Sequence, residues 1–127
     1  MKETIRVLYK RPGKTLVEVV IPNELEWLQG AVEGYIEAVP LRPDLLMVVN
    51  EEGKLHGMEH NFWINLGGYR DEILGPALFV GVDGEEFGDC PVDKSSLLDF
   101  LLELEAQMGG GNECREVNTR WSTNQLN

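Results

Sequence analysis

Between Thr4 and Ile21 the chain reads as two short alternating segments joined by a tight turn, a pattern that restricts the fold more than any other stretch. Ile5, Val7 and Tyr9 alternate with Arg6 and Leu8, and Val17, Val19 and Ile21 alternate with Leu16, Glu18 and Val20. A period of two puts each set on one face of a strand. The link Arg11-Pro12-Gly13-Lys14 has proline where φ must lie near about −65° and glycine where φ must be positive, as a type II turn demands. The expected unit is a hairpin, and a hairpin commits the chain to antiparallel pairing.

The remaining elements follow from similar signals. Asn23 is placed to cap a helix running to about Glu33, with Glu26 in the capping-box position, Leu25, Leu28 and Val32 on one face, and Gly34 as the left-handed residue that ends it. Tyr35–Leu41 and Leu45–Val49 are apolar stretches, the second a continuous run typical of a strand buried on both faces. Asn50-Glu51-Glu52-Gly53 reads as a turn after which Lys54–His56 pairs briefly back. Residues 57–76 are broken by Gly57, Gly67, Gly68, Gly75 and Pro76 and read as a long ordered loop anchored by Phe62, Trp63, Leu66 and Tyr69. Ala77–Val82 returns as a strand, Asp83-Gly84 turns, and Glu85–Phe87 is its short partner. Asp93 caps a last helix with Leu97, Leu101, Leu104 and Met108 in one stripe and Leu98 and Phe100 beside it, stopped by Gly109–Gly111.

The expected fold is α+β: a mainly antiparallel, twisted sheet of about five to six strands packed with two helices on one face. Residues 1–108 form a single domain and 109–127 a flexible polar tail carrying Trp121. A chain of 127 residues that is 43% hydrophobic is long enough to bury its own core.

Charge narrows the partners. The formal net charge is −11, and it is polarised: residues 1–14 carry +4, whereas 15–108 carry −15. Such a balance repels phosphate backbones, so direct nucleic-acid binding is not expected. The plainer reading of the polarity is solvated faces beside a basic first hairpin. The longest purely apolar run is Leu45–Val49, far too short to span a bilayer, and the opening MKETIRVLYK has no signal-peptide core. No membrane association is expected, and the expected compartment is cytoplasmic. Cys90 and Cys114 form no close-spaced metal pair, and Asp89 beside Cys90 argues against a reactive thiolate.

The runs LQGAVEGYIEAVPL (28–41), LLMVVNEEGKLHGMEHN (45–61) and ALFVGVDGEEF (77–87) resemble the domain-of-unknown-function 3846 family, over roughly residues 4–105. The helix ending Gly34-Tyr35-Ile36-Glu37, the Asn50–Lys54 turn and the asparagine at Asn61 carry the resemblance. It implies an accessory role on a phage, plasmid or conjugative element, without an assigned activity. The chain departs from the family in its two histidines, its aromatic cluster and its tail.

His56-Gly57-Met58-Glu59-His60 spaces two imidazoles four apart with a carboxylate between, but Gly57 disfavours the helix a zinc site of that spacing needs. No metal, cofactor or catalytic residue is expected. The residues expected to bind a ligand or partner are Asn50, His56, His60, Asn61, Trp63, Asn65, Tyr69 and Arg70, which join flat aromatic faces to amide and guanidinium donors. Against this stands the plainer reading that the rings only tuck a loop onto the core. Three functions follow. The first is a non-enzymatic acidic protein that binds a basic site on a host protein, in one form as a nucleic-acid mimic. The second is a sponge for a nucleotide-like signal in an anti-defence role, with pockets between subunits of a homo-oligomer. The third is a metal-dependent hydrolase using His56, Glu59 and His60.

Overall fold

A computed structural model describes residues 3–106. Met108, Gly109–Gly111, Cys114, Trp121 and the tail expected over 109–127 lie outside the described residues. The elements are β1 (Thr4–Lys10), β2 (Val17–Pro22), α1 (Leu25–Val32), β3 (Ile36–Arg42), β4 (Leu45–Asn50), β5 (His60–Leu66), β6 (Tyr69–Leu74), β7 (Ala77–Asp83), β8 (Glu86–Gly88) and α2 (Lys94–Ala106). Six strands form one antiparallel sheet in the order β2-β1-β7-β4-β3, with β8 paired to the far end of β7, and β5–β6 form a separate hairpin.

The first hairpin forms as its turn residues dictate: the Lys14 amide donates to the Arg11 carbonyl at 3.1 Å, and Gly13 takes φ 71°. Central strands β4 and β7 are buried on both faces. Leu45, Met47, Val49, Ala77 and Phe79 point to one side, where they meet Phe62, Ile64 and Ile73 of the β5–β6 hairpin and Leu97, Leu98 and Leu101 of α2. Val48, Leu78 and Val80 point to the other, with Ile5, Val7 and the two buried residues of α1, Leu28 and Val32.

The helices therefore lie on opposite faces, not on one. The cause is the β4 run itself: an apolar strand with no polar face needs cover on both sides. The leucine stripe of α2 covers one side with the hairpin, and the short α1 covers part of the other.

Local details also differ from expectation. The residue before α1 is Glu24, which makes no side-chain cap. Asn23 instead donates its Nδ2 to the Phe87 carbonyl at 3.0 Å, tying the end of β2 to β8. The left-handed residue closing α1 is Glu33, φ 66°, and not Gly34. Gly34 is required for a different reason: a Cβ there would lie 2.6 Å from Asn50 Nδ2. Residues 51–57 form successive turns, with the His56 amide donating to the Glu52 carbonyl, so Lys54–His56 pairs with no strand.

Asp93 caps α2 as expected, its Oδ1 accepting the Ser96 amide at 2.7 Å. That backbone hydrogen bond, with the Ser96 side chain next, holds the Asp93 carboxyl below its usual range. A depressed carboxylate stabilises the fold fully above its unfolded pKa, about 3.9, and the contribution is lost as pH falls through the lower folded value. Asp93→Asn keeps a capping oxygen without the charge. The variant is expected to be less stable than the parent near pH 7 and to approach it in urea melts at about pH 3 and below.

Candidate functional site

Residues 57–76 contain a hairpin in place of the expected loop. Gly67 and Gly68, φ 61° and 84°, make its two-residue turn, and Phe62, Ile64 and Ile73 are buried in the core. Strand alternation thus divides the residues read from the sequence between the protein interior and its surface.

Asn50 and Asn61 go inward. Asn50 Nδ2 donates to the Val32 carbonyl at 3.0 Å, capping α1 across the space left by Gly34, and its Oδ1 accepts the Glu52 amide at 2.7 Å. Asn61 Nδ2 donates to the carbonyls of Lys10 (2.8 Å) and Gly75 (2.9 Å), while its Oδ1 accepts the Lys10 ammonium at 2.9 Å. Lys10 is 0% exposed and also donates to the Arg11 carbonyl. These amides serve as internal latches: one holds α1 to β4, the other holds the β5–β6 hairpin to β1. Part of the basic charge of residues 1–14 is thereby inside the fold instead of on its surface.

The opposite face of the hairpin gathers His60, Trp63 and Arg70. His60 Nδ1 lies 2.7 Å from Glu72 Oε2, the Arg70 guanidinium sits 4.2 Å from the Trp63 ring centroid, and the His60 and Trp63 rings are 5.9 Å apart. Asn65 stands opposite Arg70 in register, and Tyr69, at the hairpin tip, is 78% exposed. His56 is set apart in the preceding turn, 3.4 Å from Glu52. Each histidine thus has its own carboxylate, and among the described residues no three His, Cys, Asp or Glu side chains converge as metal ligands. A cation over an indole face occupies the position a stacked base would take.

Cys90 is buried, and burial is the main cause that pushes its thiol pKa up, against the lowering effect of the Val92 hydrogen bond and of Arg6 and Arg42. A thiol so placed packs in the core, and its burial disfavours the thiolate.

An open apolar feature lies elsewhere. Because α1 has eight residues and lies over β3, β4 and β7, it leaves the same face of the edge strand β2 only half covered, with Val19 and Ile21 partly exposed, while Ile5 and Val7 of β1 are buried. The result is a groove of about 550 Å³ lined by Tyr9, Val19, Ile21, Trp27, Ala31 and Leu78, with Glu26 at its rim. The Tyr9 hydroxyl donates to the Ala31 carbonyl at 2.7 Å and braces the groove floor; burial pushes its phenol pKa up. Trp27 is 53% exposed and Leu25, expected in the core stripe, is 57% exposed. The neighbouring chain is acidic, since residues 15–41 hold five glutamates and no lysine or arginine, although Glu26 alone of these lines the groove and the Arg11 guanidinium stands 6.0 Å from the Tyr9 ring centroid. That charge run and the position of Trp27 off the Leu28–Val32 stripe were the only sequence signs of this surface.

Sheet, helices and groove define a small α+β domain built on a six-stranded antiparallel sheet with one face incompletely covered. The profile of the family described as a domain of unknown function (DUF3846) matches residues 5–101, and the chain belongs to that family. No curated protein and no solved structure matches the chain. No helix among the described residues is long and apolar enough to cross a membrane.

Proposed function

We propose that the protein is a non-enzymatic binding module, an accessory factor of a phage or plasmid, which engages a host protein through the acid-rimmed groove beside α1. The observation that carries this reading is the groove itself: a half-exposed tryptophan beside half-buried Val19 and Ile21, with Glu26 at the rim and a chain segment, 15–41, whose charged residues are all glutamates. Tryptophan in a partly desolvated hollow is the commonest kind of interface anchor. Glu26 at its rim and the acidic net charge of the chain favour a basic partner and speed its approach. The family resemblance supports the mobile-element setting. A nucleotide-like ligand on the β5–β6 hairpin has less support, because Arg70 already covers the Trp63 face.

The test is recovery of partners by tagged protein from its own host. Trp27→Ala is expected to lower recovery by about tenfold or more while leaving the melting temperature nearly unchanged, since the side chain is half in solvent. Recovery is also expected to fall as salt rises from about 0.1 M to about 1 M and the screening length shrinks to about 3 Å. Equal recovery by the variant, or no response to salt, counts against the proposal.

A further inference from the structure

The backbone beside the groove is unpaired along one side, and its geometry shows which groups are on offer. The Arg6 amide donates to Asp89 Oδ1 at 2.9 Å, and the Arg6 carbonyl accepts the Cys90 amide at 2.7 Å. Both Arg6 backbone groups therefore point away from β2. Arg6 stands opposite Val20, so this is a non-hydrogen-bonded antiparallel pair. The N–H and C=O of Val20 must point away from β1, and two residues along the same holds for Glu18. Among the described residues β2 pairs with β1 alone.

The two edges of the sheet differ. On the β3 edge, Pro40 removes a donor and a register shift between Pro40 and Arg42 distorts the ladder, both recognised guards against strand addition. The β2 segment Val17-Glu18-Val19-Val20-Ile21 has proline only at its end, and Val20 is 66% exposed. Hollows flank this edge on both faces. On one side lies the apolar groove with Val19, Ile21 and Trp27. On the other a shallow cavity of about 500 Å³ is lined by Glu3, Thr4, Arg6, Val20 and Asp89, and Arg6 is held there by Glu18 at 3.0 Å. Three carboxylates stand around that second hollow: Glu18 pairs with the Arg6 guanidinium, Asp89 accepts the Arg6 amide, and Glu3 lines the rim.

Resting on the groove being the recognition site, we infer that the partner binds as an added strand along β2, its backbone pairing with Glu18 and Val20. A strand presents side chains alternately to the two faces. Its apolar set enters the groove beside Val19, Ile21 and Trp27, and its lysine or arginine set lies over Glu3, Glu18 and Asp89. The occupant is thus an extended segment of alternating apolar and basic residues. A second copy of this chain is the poorer occupant, because its β2 would bring another Glu18 to the edge and another −11 charge with it.

The experiment uses the full chain and a short end-capped peptide of alternating valine and lysine, followed by backbone-amide NMR and hydrogen exchange. Saturating peptide is expected to slow exchange at Glu18 and Val20 by about tenfold or more, with Val19, whose amide already faces β1, little changed. A peptide N-methylated on the face that meets β2 should bind about tenfold weaker or worse, having lost several hydrogen bonds. Glutamate in place of lysine should abolish binding. The inference is overturned by absence of binding, by binding without protection at Glu18 and Val20, by equal affinity of the N-methylated peptide, or by protection of the edge through self-association without peptide. Partner recovery that depends on Trp27 but shows no edge protection leaves the groove reading standing and removes only strand addition. Recovery insensitive to Trp27→Ala removes the groove reading itself.

Discussion

Asn61→Leu is expected to destabilise the protein by about 3 kcal/mol, which for a domain of this size lowers the melting temperature by on the order of 10 °C. The amide makes three hydrogen bonds in a site where Asn61 is 5% exposed and Lys10 fully buried. Leucine keeps the branched four-atom outline of the amide, with two methyl groups in place of its oxygen and nitrogen. The carbonyls of Lys10 and Gly75 each lose a donor, and the buried ammonium loses an acceptor. Unsatisfied buried groups forfeit their solvation outright, and a buried charge does so most heavily. Urea unfolding measures the loss. A change below about 1 kcal/mol would mean that the latch between β1 and the β5–β6 hairpin contributes little.

Gly81→Ala is expected to cost about 3 kcal/mol or more. Gly81 sits within β7, between β4 on one side and β8 on the other, opposite Leu45 and Gly88. A Cβ there would lie 2.0 Å from the Asp89 carbonyl oxygen, and the obstacle is backbone that cannot rotate aside. Relief requires the Asp89–Pro91 segment to move. That movement breaks the hydrogen bonds from the Arg6 amide to Asp89 and from the Cys90 amide to the Arg6 carbonyl. Gly30→Ala is the fitting control: nothing lies within 4 Å of the added methyl, and alanine in a helix interior gains up to about 1 kcal/mol over glycine. Thermal melts of the two variants should move in opposite directions, and equal behaviour would contradict the close approach at Gly81.

How much of this was readable beforehand depended on how local the cause is. The β1–β2 hairpin, the doubly buried β4, the β7–β8 turn at Gly84 and the Asp93 cap rest on periods of two and on turn or cap chemistry within a few residues. The β5–β6 hairpin reads as a loop in sequence, although Phe62, Ile64 and Leu66 alternate and Gly67-Gly68 suits a two-residue turn. The register shift between His60 and Phe62 breaks the alternation where it begins, and the glycines resemble punctuation. The placement of the helices on opposite faces was implicit in the Leu45–Val49 run, since a strand without a polar side needs two covers. Burial of Lys10 had no local signal beyond its sharing a strand face with Leu8, because lysine ordinarily marks a surface.

The surface residues divide in the same way. Asn50 and Asn61 look like ligand donors in sequence because nothing local reveals that their partners are Val32, Lys10 and Gly75. His60, Trp63 and Arg70 do meet on one face, as their spacing across a hairpin permits, but they contact one another there. The groove depends on how far α1 reaches across the sheet, and a helix of eight residues cannot cover a sheet of this width. No periodicity encodes that shortfall.

Site-specific photocrosslinking in the native host tests the choice of surface most directly. A photoreactive phenylalanine analogue is placed at Trp27, beside the groove, and in a second protein at Tyr69, on the hairpin tip. The groove account predicts a discrete adduct with a host protein from position 27 and none from position 69. An adduct from position 69 alone would contradict it and return recognition to the β5–β6 hairpin.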